Sequence, residues 1–341
     1  MTEVSVKITS SLDTKKWSNF VYNHPHGNIF QTPEMAEVYK RTKNYEPISL
    51  AVIDDTDNII ALLQAVVIKE KGILGPLSSR SIIQGGPLFV EGEEGIKALK
   101  MLMEYYDRII RKKAIYTEIR NMWDTSEILG TLKGMGYKYY EHSNFMININ
   151  RTPKEIFSDF PRDRRRNIKK AIKCGVNLKI ANSSEEIESF YEILLETYRK
   201  AGLPLADKTL FLSAFNVLCG TGKARVFLAK VRDEIIAGRF VLCYKNKIYD
   251  WYASAKRRYL SYHPNEFLVW CVLKWGSENG FHIFDFGGAG NPKREYGVRE
   301  FKRRFGGTMV NFGRYRKVHA PLKFWLAERG FKIYRKIRWG K

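Results

Sequence analysis

Ile48-Ser-Leu-Ala-Val-Ile53, Asp54-Asp-Thr-Asp-Asn58 and Ile59-Ile-Ala-Leu-Leu-Gln-Ala-Val-Val-Ile68 follow one another as apolar run, polar turn and apolar run. β-Branched residues bounded by turn-forming Asp and Asn predict two antiparallel strands. The pattern recurs as Ala224-Arg-Val-Phe-Leu-Ala-Lys-Val231, a turn at Arg232-Asp-Glu234, and Ile235-Ile-Ala-Gly-Arg-Phe-Val-Leu-Cys-Tyr244, with Ile235 lying 176 residues beyond Ile59. Each hairpin leads into a helix and then a strand. In the first half Leu99, Leu102, Met103, Tyr106 and Ile110 keep helical spacing within 95–113, and 114–120 reads as the strand. In the second half Pro264 opens a helix, Gly280 closes it and 281–286 is the strand, 168 residues after its counterpart. Offsets agreeing this closely predict two copies of one α/β (α+β) unit, each a mixed, mainly antiparallel sheet flanked by helices. The junction is expected near Asn150, where the strand Phe145-Met-Ile-Asn-Ile149 ends and Thr152-Pro153 starts a helix. That divides the chain into 1–150, 151–318 and a basic tail, 319–341.

The chain has 341 residues, of which 44% are hydrophobic, enough for two cores and too many for a disordered chain. Its longest apolar stretch, Ile59 to Ile68, is about half of what a bilayer-spanning helix needs. Met1-Thr-Glu-Val-Ser-Val-Lys7 lacks the features of a secretory signal, so a cytoplasmic location is expected. Cys174, Cys219, Cys243 and Cys271 are widely spaced, without CxxC or clustered His, so reduced thiols and no metal site are expected. The net charge of +22 is concentrated: 291–341 carries +13 and 154–179 carries +6. If these stretches fold together, they form a face for RNA, a nucleotide-linked substrate or an anionic membrane; otherwise they are solvated.

Asp285-Phe-Gly-Gly-Ala-Gly-Asn291 follows a strand, yet it has neither the GxGxxG spacing of a dinucleotide fingerprint nor a terminal Gly-Lys-Ser/Thr. Its glycines predict close backbone approach to another chain or a ligand. Together with Gly297-Val-Arg-Glu-Phe-Lys-Arg-Arg-Phe-Gly-Gly307, it resembles the C-terminal signature of the Fem family of peptidoglycan aminoacyltransferases. Phe30-Gln-Thr-Pro-Glu-Met-Ala-Glu-Val-Tyr-Lys40 is similar to the family's phenylalanine-glutamine-serine segment and the lysine that follows. Arg164-Arg-Arg-Asn-Ile-Lys-Lys-Ala-Ile-Lys-Cys-Gly-Val176 resembles its basic helix, and Trp251-Tyr-Ala-Ser-Ala255 its aromatic strand.

The resemblance implies two tandem GNAT-like (acetyltransferase-like) domains without the coiled-coil arm of some members, the first on the acceptor side and the second on the donor side. It implies transfer of an amino acid from aminoacyl-tRNA to an amine of a UDP-linked or lipid-linked muropeptide, with no cofactor beyond that co-substrate. By carry-over, Lys302 is the cation that stabilises the developing oxyanion, and Phe301 packs near the terminal adenosine. Lys40 grips an acceptor phosphate, although Met35 stands where the family has tryptophan, and Tyr252 lines the acceptor site. Arg165 and Lys169 on the basic helix are expected to contact tRNA phosphates, which gives no sequence readout. The bland alternative for Lys302 is a solvated basic helix.

Arg239 interrupts an otherwise apolar strand, where it either faces a substrate cleft on the acceptor side or points outward. His263 beside Pro264, and His24 and His26 around Pro25, read as turn residues. In the tail, Leu322, Trp325, Leu326, Ile333 and Ile337 form an apolar stripe among cations, suited either to an anionic membrane or to docking on the second domain. Two other functions compete. One is an acyl-CoA-dependent N-acyltransferase on a sugar or exopolysaccharide amine, against which Lys256-Arg-Arg-Tyr-Leu-Ser-Tyr-His263 offers no glycine for a pyrophosphate cradle. The other is a non-catalytic RNA- or membrane-binding protein.

Overall fold

The computed structural model describes residues 6–70 and 75–339, with side chains excluded at 76–77 and beyond 330. Its strands, in chain order, are β1 (Lys7–Thr9), β2 (Tyr45–Ile53), β3 (Ile59–Ile68), β4 (Arg80–Gln84), β5 (Leu88–Phe89), β6 (Tyr116–Arg120), β7 (Lys138–Tyr140), β8 (Ser143–Asn148), β9 (Val176–Ile180), β10 (Ala224–Val231), β11 (Glu234–Tyr244), β12 (Lys247–Ala255), β13 (Ile283–Gly288), β14 (Thr308–Asn311) and β15 (Arg314–Val318). One sheet has the order β1-β2-β3-β4-β6-β15-β7, with β5 beside β3; the other runs β14-β8-β13-β12-β11-β10-β9. Each contains one parallel pair, β4 with β6 and β12 with β13, among antiparallel neighbours. The repeated hairpins are β2–β3 and β10–β11, equivalently placed in the two sheets.

The chain divides into a unit of 1–141 with 312–341 and a unit of 142–311, which differs from the contiguous halves expected. The reason is a reciprocal exchange of strands. β7 and β8 are followed some 170 residues later by β14 and β15, the same two-strand segment of the repeat. β8 pairs with β13 and β14 in the second unit, while β15 pairs with β6 and β7 in the first. The exchange also divides the basic stretch 291–341: 291–311 lies with 154–179 in the second unit, whereas 312–341 belongs to the first.

In the first unit the helix Glu93–Ile110 buries Leu99, Leu102, Met103, Tyr106 and Ile110 against one sheet face, with Leu50, Val52, Leu63 and Ile119. In the second, the helix Pro264–Glu278 buries Leu268, Val269, Val272 and Leu273 against Val241, Ile248 and Phe284. Thr152 caps the helix Pro153–Ser158 through a reciprocal box with Glu155, as Thr-Pro predicts. The Phe30-Gln31-Thr32 motif has a structural role: buried Gln31 donates through Nε2 to the carbonyls of Gly85 (3.2 Å) and Gly86 (2.7 Å), fixing the exit of β4. The tail forms the helix Pro321–Trp339, whose Phe324 packs edge-on against Tyr116 of the first unit, while Leu322, Trp325 and Leu326 remain exposed. Ile333 and Ile337 lie outside the residues whose side chains are described.

Candidate active site

β12 and β13 pair in parallel through Lys247↔Ile283, Ile248↔Phe284 and Tyr249↔Asp285, and part beyond that point. A bulge assists the parting: Val241 faces Asp250 and Phe240 faces Tyr252, leaving Trp251 as the extra residue. Beyond Asp285 the end of β13 has no partner in β12, although Gly288 still pairs with Asn144 of β8, and Lys302 serves the carbonyls there. Its Nζ donates to the carbonyls of Phe286, Gly287 (3.3 Å) and Gly288 (3.0 Å), so the ammonium closes the gap where the sheet opens. Lys302 is 9% exposed, which excludes the solvated-helix alternative. It sits on the short helix Gly297–Arg303, held down by Phe305, and positive φ angles at Gly306 and Gly307 turn the chain from there into β14. Burial lowers the Lys302 pKa; Asp250 and Asp285 oppose that shift, and Arg239 adds to it.

Arg239 does not point outward. It is 3% exposed and donates to Asp250 Oδ2 at 2.5 Å, a buried pair spanning β11 and β12. Asp285 accepts from Asn144 Nδ2 (2.6 Å) and the Gly287 amide (2.7 Å), and burial pushes its carboxyl up. Arg239 Nε, Asp250 Oδ1 and Asp285 Oδ2 are buried without hydrogen-bond partners. Charges and orphaned polar atoms of this kind are costly in an apolar setting, and they cluster where a polar group is to be bound. Asp250 escapes sequence reading because it stands between the aromatics Tyr249 and Trp251, and Asn144 because it lies among the polar residues at the start of its strand.

The basic helix Arg162–Lys173 is tied to the Lys302 helix by Arg164, which is buried, donates to Glu266 at 2.9 Å and lies 5.1 Å over the rings of both Phe301 and Phe305. One face of Phe301 is thereby taken by a guanidinium. Arg304 pairs with Asp163 across the same junction. Arg165 and Lys169 line a cleft of about 770 Å³ together with Lys154, Arg162, Arg166 and Phe157. Tyr252 is half-buried, its ring 4.7 Å from Phe211 and 5.1 Å from Trp251. Lys40, exposed at the end of the helix Pro33–Lys40, belongs to the first unit, and the other expected site residues belong to the second. His263 adopts the left-handed conformation ahead of Pro264, with its Nδ1 3.5 Å from Glu266.

Among the described residues no group of three His, Cys, Asp or Glu is arranged to hold a metal ion, and no helix is long and apolar enough to cross a membrane. All four cysteines are free.

Two sheets of the same strand order, each with one parallel pair among antiparallel neighbours, define a tandem GNAT fold. Residues 158–303 match the acetyltransferase (GNAT) domain family. The chain is similar to the lipid II:glycine glycyltransferase of Staphylococcus haemolyticus (strain JCSC1435), with 22% identity over 84% of this chain and 87% of that protein. In structure it is similar to FemX, with a TM-score of 0.71 at 18% identity over 94% of this chain and 99% of the other. It is also similar to a tandem GNAT protein from the clavulanic acid biosynthesis pathway, with a TM-score of 0.61 at 10% identity over 93% and 99%. The resemblance to the Fem-type transferases and the expected tandem GNAT architecture are both borne out.

Proposed function

We propose that this protein transfers an amino acid from aminoacyl-tRNA to an amine of a peptidoglycan precursor, building a cross-bridge. The lipid II-type acceptor and glycine named for the staphylococcal relative are the first pair to test. The observation that carries the reading is the buried Lys302 ammonium at the parting of β12 and β13, on a helix that Arg164 ties to the basic helix whose Arg165 and Lys169 line the cation-rich cleft.

The chemistry needs no covalent enzyme intermediate. The acceptor nitrogen attacks the ester carbonyl, a C–N bond forms and the C–O bond to the terminal ribose breaks. The amine proton ends on the ribose oxygen. The enzyme's task is to align the two groups and stabilise the oxyanion between them. Lys302 supplies a cation held in place by three carbonyls, and releasing the longest of these bonds, to Gly287, frees an N–H for the oxyanion. Arg165 and Lys169 hold tRNA phosphates, and Phe301 offers its remaining face to the terminal adenosine. Tyr252 serves the acceptor, and Arg239 acts there as a positioning residue through Asp250. Association with the cytoplasmic face of an anionic membrane fits a lipid-linked acceptor and the exposed Leu322, Trp325 and Leu326.

Coenzyme A is disfavoured as donor by the segment before the helix Pro264–Glu278. Glu234 accepts from Lys256 (2.6 Å), Arg258 and Tyr259 (2.6 Å), so those cations are committed, and Glu266 places a carboxylate in the helix's first turn. The test is mass spectrometry of muropeptide precursors incubated with the protein and either charged tRNA or acetyl-CoA. A gain of one aminoacyl residue supports the proposal; an acetyl gain replaces it.

A further inference from the structure

The first unit contains a cation cluster that the transfer reaction does not use. Glu118, on β6, is 7% exposed, and three guanidiniums converge on its carboxylate. Oε1 accepts from Arg120 Nε at 2.8 Å and Arg314 Nη1 at 3.1 Å, and Oε2 accepts from Arg316 Nη2 at 2.8 Å. Strand register adds to them. Lys138 lies opposite Arg316, and Arg80, which pairs with Glu70 at 3.8 Å, lies opposite Tyr116, on the sheet face away from the core of Ile119 and Tyr315. One carboxylate thus serves at least three cations, a surplus that is costly where side chains are only about a third exposed or less.

Arg316 Nε is buried with no hydrogen-bond partner. Burial and the repulsion of Arg120 lower the Arg314 pKa to about 10, whereas, against its burial, that of Arg316 is raised by Glu118. Aromatic rings bound the cluster: Arg316 lies 5.3 Å over Tyr116, 5.4 Å over Tyr140 and 5.9 Å over Phe324. Three planar guanidinium forks on one carboxylate, one of them with an unpartnered Nε, form the kind of arrangement that recognises phosphoryl oxygens.

We propose that the face of β6 and β15 around Glu118 is a binding site for a diphosphate-type anion, with Arg120, Arg314 and Arg316 as its ligands. The anion supplies the missing negative charge and accepts from the Arg316 edge that Glu118 does not reach. Glu118 acts as an internal counter-charge that holds the forks in place and competes with the ligand.

The test is calorimetric titration of the full-length protein with inorganic pyrophosphate at fixed ionic strength. The variants are Arg316→Gln, Arg120→Lys, Glu118→Gln and the exposed-helix control Lys100→Gln. The proposal expects saturable binding that weakens at least about tenfold in R316Q and R120K, tightens in E118Q and is unchanged in K100Q. R120K keeps the charge and the fold while losing the fork, so it reads the site even if R316Q is unstable. UDP and phosphatidylglycerol vesicles are then competed with pyrophosphate. Displacement of UDP identifies a soluble diphosphate, displacement of vesicles identifies a lipid headgroup, and either supports the site. No saturable binding, equal affinities in R120K and K100Q, or weaker binding in E118Q overturns it.

Discussion

Replacing Lys302 with Met keeps an unbranched side chain one atom shorter and removes the three donors that close the gap between β12 and β13. Of the carbonyls left behind, that of Phe286 is bonded within the core, whereas those of Gly287 and Gly288 lie at a half-buried edge that water reaches. Leaving the buried carbonyl unpaired costs about 1–3 kcal/mol, partly offset because an ammonium no longer has to be desolvated. A net loss of about 1–2 kcal/mol corresponds to a fall in melting temperature of about 2–8 °C for a unit of this size. Turnover should suffer far more, since one preorganised oxyanion donor is worth about 10²–10³ in kcat. Lys302→Arg, whose flat fork cannot direct donors at three successive carbonyls, should also lose turnover although it retains the charge. Thermal melting and product formation measured on the same preparations separate the two effects. A folded Lys302→Met protein with kcat within about threefold of wild type would refute the reasoning, because no modest structural change would then be concealing a catalytic one.

Four further outcomes are expected. Arg164→Gln should destabilise the second unit by about 3 kcal/mol in urea unfolding, since it leaves half-buried Glu266 without its guanidinium, with Asn167 and His263 as its remaining neighbours, and removes the cation between Phe301 and Phe305. Gly307→Ala places a Cβ 2.5 Å from the Met146 carbonyl at a φ of +85°, so β14 should lose its register on β8, readable as loss of amide protection in both strands. Although burial pushes the Glu118 carboxyl up, the surrounding guanidiniums hold it down at about 2. The stability this contributes, on the order of 3 kcal/mol, is present above pH 4.5 and lost as the pH falls towards 2; Glu118→Gln should flatten that part of the pH–stability curve. Burial pushes the Cys219, Cys243 and Cys271 thiols up to about 12, so mass spectrometry should find them unalkylated by iodoacetamide at pH 8 until the protein unfolds.

The duplicated hairpin was legible because each copy combines β-branched runs with a polar turn, a signal that is local. The exchange of β8 and β15 was not, because strand membership depends on partners far away in sequence. In β15 the alternation of Arg314, Tyr315, Arg316 and Lys317 is dominated by charge, so a strand with Tyr315 buried and Arg314 and Arg316 on the opposite face reads as part of a basic tail. The same separation hides the Glu118 cluster, whose members lie about 200 residues apart. Lys302 was legible through its motif. Its burial was hidden by Arg299, Glu300, Arg303 and Arg304, although Phe301 and Phe305 at i, i+4 mark the face on which that helix packs. Arg239 was correctly read as anomalous, but its partner Asp250 sits on the next strand, opposite Val241, in a register that the bulge at Trp251 creates.

The most direct test of the account follows the amino acid itself. One equivalent of tRNA charged with a labelled amino acid is mixed with the protein and an amine-bearing muropeptide, and label is tracked through a single turnover. The account predicts that label leaves the tRNA at the rate at which an alkali-stable amide appears on the acceptor, and that ribonuclease treatment of the donor abolishes the product. Release of the label as free amino acid, or no acceleration over the uncatalysed ester, would contradict it.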